Sequence, residues 1–215
     1  VADAQIFSSV AGGRLPGWQV GNGGVNAWGV ENLVGLIIDA DFSPAEVVVT
    51  CVLEGDFYRG LTRAPSMPLW TEKPHFALQD LLMHSIWKAN ILRYGSASDA
   101  VGLNETHRDM IVDRAARRLK ELDLYLKEQK VKHFLFILPT RTQIVDGELP
   151  DPRVEQILKQ YEIEADYLLP KLLSSEPDGK NRGEWFHDEV HLELSGHHEY
   201  GTLIGEILFN ALSAN

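Results

Sequence analysis

His133-Phe134-Leu135-Phe136-Ile137-Leu138-Pro139 holds five consecutive apolar side chains and stops at a proline. It follows directly on a long helical pattern and ends at a residue that cannot donate to a ladder, so it reads as a strand whose end lies where open α/β sheets place their ligands. Upstream, Ile111, Ala115, Leu119, Leu122 and Leu126 recur on one helical face, which predicts a long helix from an N-cap at Asn104 to about Lys130. The β-branched run from Glu46 to Leu53 has the character of a strand buried on both faces, and a short strand is expected at 17–21. Between these two, Val30, Leu33, Val34, Ile37 and Ile38 mark a helix that Asn26 or a neighbour would cap. Beyond Pro139, residues 151–161 read as helix, 163–169 as weakly strand-like, and Leu194 to Leu212 as a helix around Leu203, Ile204, Ile207 and Leu208. Strands alternating with helices predict an α/β fold, a mostly parallel sheet covered on both faces in three layers.

The segment between the strands at 46–53 and 133–138 is long. It opens with the Pro-rich Ala64-Pro65-Ser66-Met67-Pro68 and continues into a helical pattern over 76–93, with Leu78, Leu81, Leu82, Ile86 and Ile91 on one face. We expect one domain over residues 1–215, with a helical, lid-like insertion at about 60–100 and no internal repeat.

Hydrophobic residues at 44% and charged residues at 24% are ordinary for a packed domain and argue against disorder. A net charge of −11 would repel a phosphate backbone unless cations were gathered on one face, so nucleic acid is not expected as a partner. The one short basic run, Arg114, Arg117, Arg118 and Lys120, sits among acids in a helical pattern and reads as a solvated face. The single cysteine, Cys51, lies in the Val47–Leu53 run as a small buried hydrophobe, so disulfides give no clue to compartment. No stretch approaches about 18 apolar residues, so no membrane span is expected, and Val1-Ala2-Asp3-Ala4-Gln5 lacks the features of a signal peptide.

The chemistry is concentrated in Trp185-Phe186-His187-Asp188-Glu189-Val190-His191-Leu192-Glu193-Leu194-Ser195-Gly196-His197-His198. An imidazole acts as a general base near neutral pH, and a carboxylate three residues away can fix its tautomer and stabilise the imidazolium. Asp188 and His191 are therefore the catalytic candidates, although an Asp-x-x-His spacing by itself also serves to cap helices.

Asp188-x-x-His191-Leu192, followed by Ser195-Gly196-His197 and an apolar C-terminal helix, resembles the closing block of the SGNH (GDSL-type) hydrolases. Leu15-Pro16-Gly17-Trp18-Gln19-Val20-Gly21-Asn22-Gly23-Gly24-Val25 is similar to that family's second strand and following turn, and Glu46 to Asp56 to its third strand. With the long helix and Phe134 to Pro139, the likeness covers most of the chain apart from roughly 60–100. It implies a flavodoxin-like sheet and an esterase, deacetylase or acyltransferase using a Ser-His-Asp site on a small-molecule or carbohydrate ester, without a cofactor or metal. Asp188 and His191 would belong to the triad.

The chain departs from the family pattern in three places. No Gly-Asp-Ser occurs, and the likeness would put the first, central strand and its serine before Val1, supplied by residues outside this numbering or by another chain; Ser8 and Ser9 fall where the family has its first helix. The family's Asn oxyanion donor is missing, since the chain reads Leu53-Glu54-Gly55-Asp56-Phe57, which leaves the Gly55 backbone N–H. The other oxyanion N–H would fall on Ala27, or on Gly24 if the turn is one residue shorter. These losses are what a non-catalytic module binding carbohydrate or a partner would display.

Other readings are open. His187, His191, His197 and His198 could hold zinc, but match no zinc spacing, and His197 suits packing or capping. Trp18, Trp28, Trp70, Trp87 and Trp185 could line a sugar cleft or fill the core. Arg59 and Arg141, near strand ends, could bind an anionic group or be surface arginines, and Glu54 and Asp56 are alternative site acids or strand-end polar groups. The Gly21–Gly24 run is not a phosphate-binding Gly-x-Gly-x-x-Gly.

Overall fold

The computed structural model describes residues 5–25, 28–39, 45–59, 78–79, 81–82, 85–86, 105–175 and 181–213. Its helices are α1 Phe7–Gly13, α2 Val30–Asp39, α3 Glu105–Glu128, α4 Pro152–Gln160, α5 Leu168–Ser175 and α6 Leu194–Ser213. Its strands are β1 Val47–Leu53, β2 Lys132–Leu138 and β3 Asp166–Tyr167, which form one small parallel sheet in the order β1-β2-β3. The chain is therefore mixed α/β. Asn26, Ala27, Trp70, Trp87, Asn104 and most of the 60–100 segment lie outside the described residues; within that segment, 78–79, 81–82 and 85–86 are helical.

Three expectations are corrected. Residues 18–25 form no strand. Among the described residues no strand pairs with this segment, and without a partner its extended backbone counts as no strand. Only Asp166–Tyr167 of 163–169 is strand; at Leu168 the chain turns helical, because Leu168 and Leu172 repeat at helical spacing and Pro170 falls within the first turn, where its missing N–H costs nothing. β1 is also not buried on both faces. Within it only Thr50 and Val52 are buried while Val49 is exposed, the alternation of an edge, whereas Leu135, Phe136 and Ile137 of central β2 are buried in succession.

The chain divides into two compact units. The middle unit is Val25–Phe136 with Asp151–Asp166. Its core is the apolar face of α3, where Val112, Ala115, Ala116, Leu119, Leu122 and Leu126 are buried, against Val30, Val34 and Ile37 of α2. Burying each such leucine or valine stabilises by about 1.5–3 kcal/mol. Glu31 in the first turn of α2 is buried and paired with Arg114 of α3. α4 starts on Asp151, whose carboxylate accepts the Arg153 N–H at 2.9 Å, with Pro152 at the position where a missing N–H is harmless.

The end unit is Val1–Gly24 with Ile137–Pro150 and Tyr167–Asn215. Here α1 packs on α6 at a distance only glycine permits: a Cβ on Gly201 would lie 2.6 Å from the Phe7 carbonyl oxygen, and one on Gly205 2.8 Å from Arg14 Cβ. The stacked Phe7 and His197 rings and a Phe7 N–H bond to His197 Nδ1 at 3.3 Å close the same interface, so His197 packs and caps. The Tyr200 hydroxyl, buried on α6, donates to the Pro139 carbonyl at 3.0 Å and ties this helix to the end of β2.

Candidate functional site

Residues 186–192 form a tight loop in the end unit. Phe186 and Leu192 face each other as an antiparallel bridge, the His187 N–H donates to the His191 carbonyl at 2.8 Å, and the Glu193 N–H donates to the Trp185 carbonyl at 2.8 Å. Trp185 and Phe186 are buried and anchor the loop, with Phe186 edge-on to Tyr200. Gly196 sits so near that a Cβ there would lie 2.1 Å from the Trp185 carbonyl oxygen, which gives the glycine of Ser195-Gly196 a packing reason.

Within the loop Asp188 organises both backbone and imidazole. Its Oδ1 accepts the N–H groups of Val190 at 2.9 Å and His191 at 2.8 Å, and its Oδ2 lies 2.7 Å from His191 Nδ1. The His191 and Val190 N–H groups, then the imidazole, hold the Asp188 carboxyl far below the usual carboxylate range. An ionised carboxylate only accepts, so His191 Nδ1 carries the hydrogen and, in the neutral ring, Nε2 carries the lone pair. His191 is exposed, and its Nε2 bonds to no described residue. The pair thus presents a basic nitrogen of fixed tautomer to solvent.

The loop is clasped by the turn that follows β2. The Arg141 N–H donates to the Glu189 carbonyl at 2.9 Å, and the Glu189 Oε1 accepts from the Thr142 N–H at 3.2 Å and the Thr142 hydroxyl at 2.8 Å. Burial opposes ionisation of Glu189, but the bonds from Thr142 and Thr140 and the charge of Arg141 outweigh it and hold this carboxyl below its ordinary value. Residues Thr142–Asp146 make a π-helical turn closed by Gly147 in the left-handed region (φ 73°), a rare conformation that recurs at functional sites. Glu189, Thr140 and Thr142 had no signal in the spacing; the available clue was a polar Thr140-Arg141-Thr142 at the carboxyl end of a strand, where open α/β sheets place ligands.

The other candidates fall elsewhere. Gly24 is exposed and its N–H donates to Asn22 Oδ1 at 2.9 Å, so this donor is already used. Gly55 belongs to the middle unit, exposed in the 3-10 turn Glu54–Tyr58, and Ala27 lies outside the described residues. Glu54 and Asp56 serve structure: Glu54 accepts the Asp151 N–H at 3.0 Å, and Asp56 accepts the Leu53 N–H at 2.9 Å and pairs with Arg59 at 3.3 Å. Arg59 also donates to the Trp28 carbonyl, so it is a structural arginine, whereas Arg141 has no ion pair among the described residues. Cys51 is half-buried by surface, yet its thiol is enclosed and burial pushes it up to about 12, which makes it inert as a nucleophile. Ser8 and Ser9 lie in α1, and Ser195 donates to the Glu184 carbonyl at 2.8 Å. His187 pairs with Glu193 at 3.0 Å, and among the described residues no three His, Cys, Asp or Glu side chains are grouped to hold a metal. No described helix is long and apolar enough to cross a membrane.

The chain matches no protein-family model, no curated protein and no solved structure.

Proposed function

We propose that the chain is the Asp–His part of an SGNH-type ester hydrolase or acyl transferase, with a serine nucleophile supplied from outside residues 1–215. One observation carries this reading: His191 Nδ1 is held 2.7 Å from an ionised Asp188 while Nε2 is exposed and unengaged by any described residue. Nε2 takes the serine proton as the hydroxyl oxygen attacks the ester carbonyl, Asp188 stabilises the imidazolium, and His191 returns the proton to the departing alcohol. Water then repeats the cycle on the acyl-enzyme. O-acetylated carbohydrate and small esters are the substrate class that the likeness suggests.

The order β1-β2-β3 fits the third, fourth and fifth strands of a three-layer, flavodoxin-like sheet. Among the described residues β1 pairs on one side only and segment 18–25 joins no strand, which is what such a sheet displays when its central strand comes from elsewhere.

A second reading, a non-catalytic module, is favoured by the fact that no hydroxyl or thiol of a described residue bonds to His191. Treating the protein with a fluorophosphonate and mapping the adduct by peptide mass separates the two. We expect an adduct on a serine outside residues 1–215, formed far more slowly in His191→Ala. No adduct, together with no turnover of p-nitrophenyl acetate or acetylated oligosaccharides, would overturn the hydrolase reading in favour of the module.

A further inference from the structure

We propose that Glu189 is a positioning residue for the Asp188–His191 pair, acting as a clasp that docks the loop 187–191 onto the turn Thr140–Thr142. The proposal rests on the reading of His191 as a general base. Glu189 stands between the two catalytic candidates, and both of its ends are tied down: its carbonyl receives the Arg141 N–H, and its carboxylate receives the Thr142 N–H and hydroxyl. The Thr140 and Thr142 hydroxyls lie 3.1 Å apart, and the Gln143 side chain accepts the Thr140 N–H at 2.9 Å. The receiving turn is itself fixed one residue earlier, because the Pro139 carbonyl accepts the buried Tyr200 hydroxyl.

The loop needs such a clasp. Between its anchors at Phe186 and Leu192, residues 187, 188, 189 and 191 are exposed, so no apolar packing sets their orientation. The Asp188 bonds to Val190, His191 and the imidazole are internal to the loop: they fix its shape and the imidazole tautomer but leave its direction open. Glu189 gives a rigid bonded link from the loop to the end of β2. A shift of about 1 Å in the base is enough to cost on the order of 10²-fold in rate, so orientation matters even where stability barely changes.

The test compares Glu189→Ala, Glu189→Gln and Thr142→Val by the imidazole 15N spectrum of His191, with kcat and KM on p-nitrophenyl acetate alongside. Glutamine keeps an oxygen that can accept both Thr142 bonds, so Glu189→Gln should retain the single-tautomer His191 signals and most of kcat. Glu189→Ala should broaden or average those signals and lower kcat about 10- to 100-fold with little change in KM. Thr142→Val, which keeps only the backbone donor, should fall between. The proposal is overturned if Glu189→Ala leaves the His191 signals as in the parent, or if Glu189→Gln disturbs them as much as alanine does. The spectrum needs no turnover: a His191 response in a protein that hydrolyses no ester would leave the clasp standing and sink the hydrolase reading alone.

Discussion

Each unit contains a histidine between a carboxylate and a second site, and the two differ in what the second nitrogen meets. In the end unit His191 Nδ1 is 2.7 Å from Asp188 and Nε2 faces solvent. In the middle unit His133 Nδ1 is 3.4 Å from Asp123, and its Nε2 is 3.1 Å from the hydroxyl of Thr50, which is 1% exposed. The second arrangement has the hydroxyl–imidazole–carboxylate order of a hydrolase triad, but a threonine buried within β1 offers no hydroxyl to a substrate. Its lone pair is consumed by the Thr50 hydroxyl, and burial lowers the His133 pKa against the pull of Asp123. Order of groups along a hydrogen-bonded chain therefore does not make a site; an open lone pair does.

That contrast breaks most sharply on activity. His191→Ala and Asp188→Asn should lower ester turnover by about 10²–10⁴-fold, while His133→Phe should leave kcat on p-nitrophenyl acetate within a few-fold of the parent. Equal losses from both histidines would erase the distinction. On stability the ranking reverses. His133→Phe strands the buried Thr50 hydroxyl and should cost about 1–3 kcal/mol in urea unfolding, whereas His191→Ala, exposed, should cost within about 0.5 kcal/mol. Gly196→Ala tests the support of the end-unit loop: with the Trp185 carbonyl in its way it should destabilise by about 1–3 kcal/mol and disturb the His191 resonances without touching those of His133.

The smallest effect is on pH. The unfolded chain takes up a proton at His133 near pH 6.5 that the folded chain declines, so stability is fully present above that value. It should fall as pH drops from about 6.5 toward the lowered folded value, by at most about 1.4 kcal/mol per pH unit. The urea midpoint between pH 7.5 and 5 measures this slope, and His133→Phe should remove it. Asp188 has the same sign in a lower window: its folded pKa is also depressed, so the stability it contributes is present above about pH 4 and is lost as pH falls through the lowered value. Carboxyl 13C shifts should show it ionised after ordinary aspartates have taken up their protons.

Much of the fold was legible because apolar period states it directly. The β2 run, the α3 face and the closing helix lie within a few residues of where the spacing puts them. What was hidden depends on neighbours. The 17–21 segment has strand composition, but a strand exists only with a partner to bond, and alternation along β1 was masked by a run of β-branched residues that suit an edge as well as a centre. Asp188 and His191 were visible as a motif. Glu189 was not, because its role is set by where the Thr140–Thr142 turn comes back in space, and the Thr50–His133 contact joins residues whose separation of 83 carries no local signature.

The glycines at 201 and 205 have a consequence for how the protein is made. They hold α1 against a helix 190 positions later in the chain, and the unit to which both belong is assembled from three separate stretches. At a synthesis rate of roughly 5–20 residues per second, α1 leaves the ribosome ~10–40 s before the surface that covers it exists. The middle unit, built mainly from one continuous stretch, is free to form during that interval. Of the two units the one carrying His191 is completed second, so any general-base activity should appear only after α6 has emerged and docked.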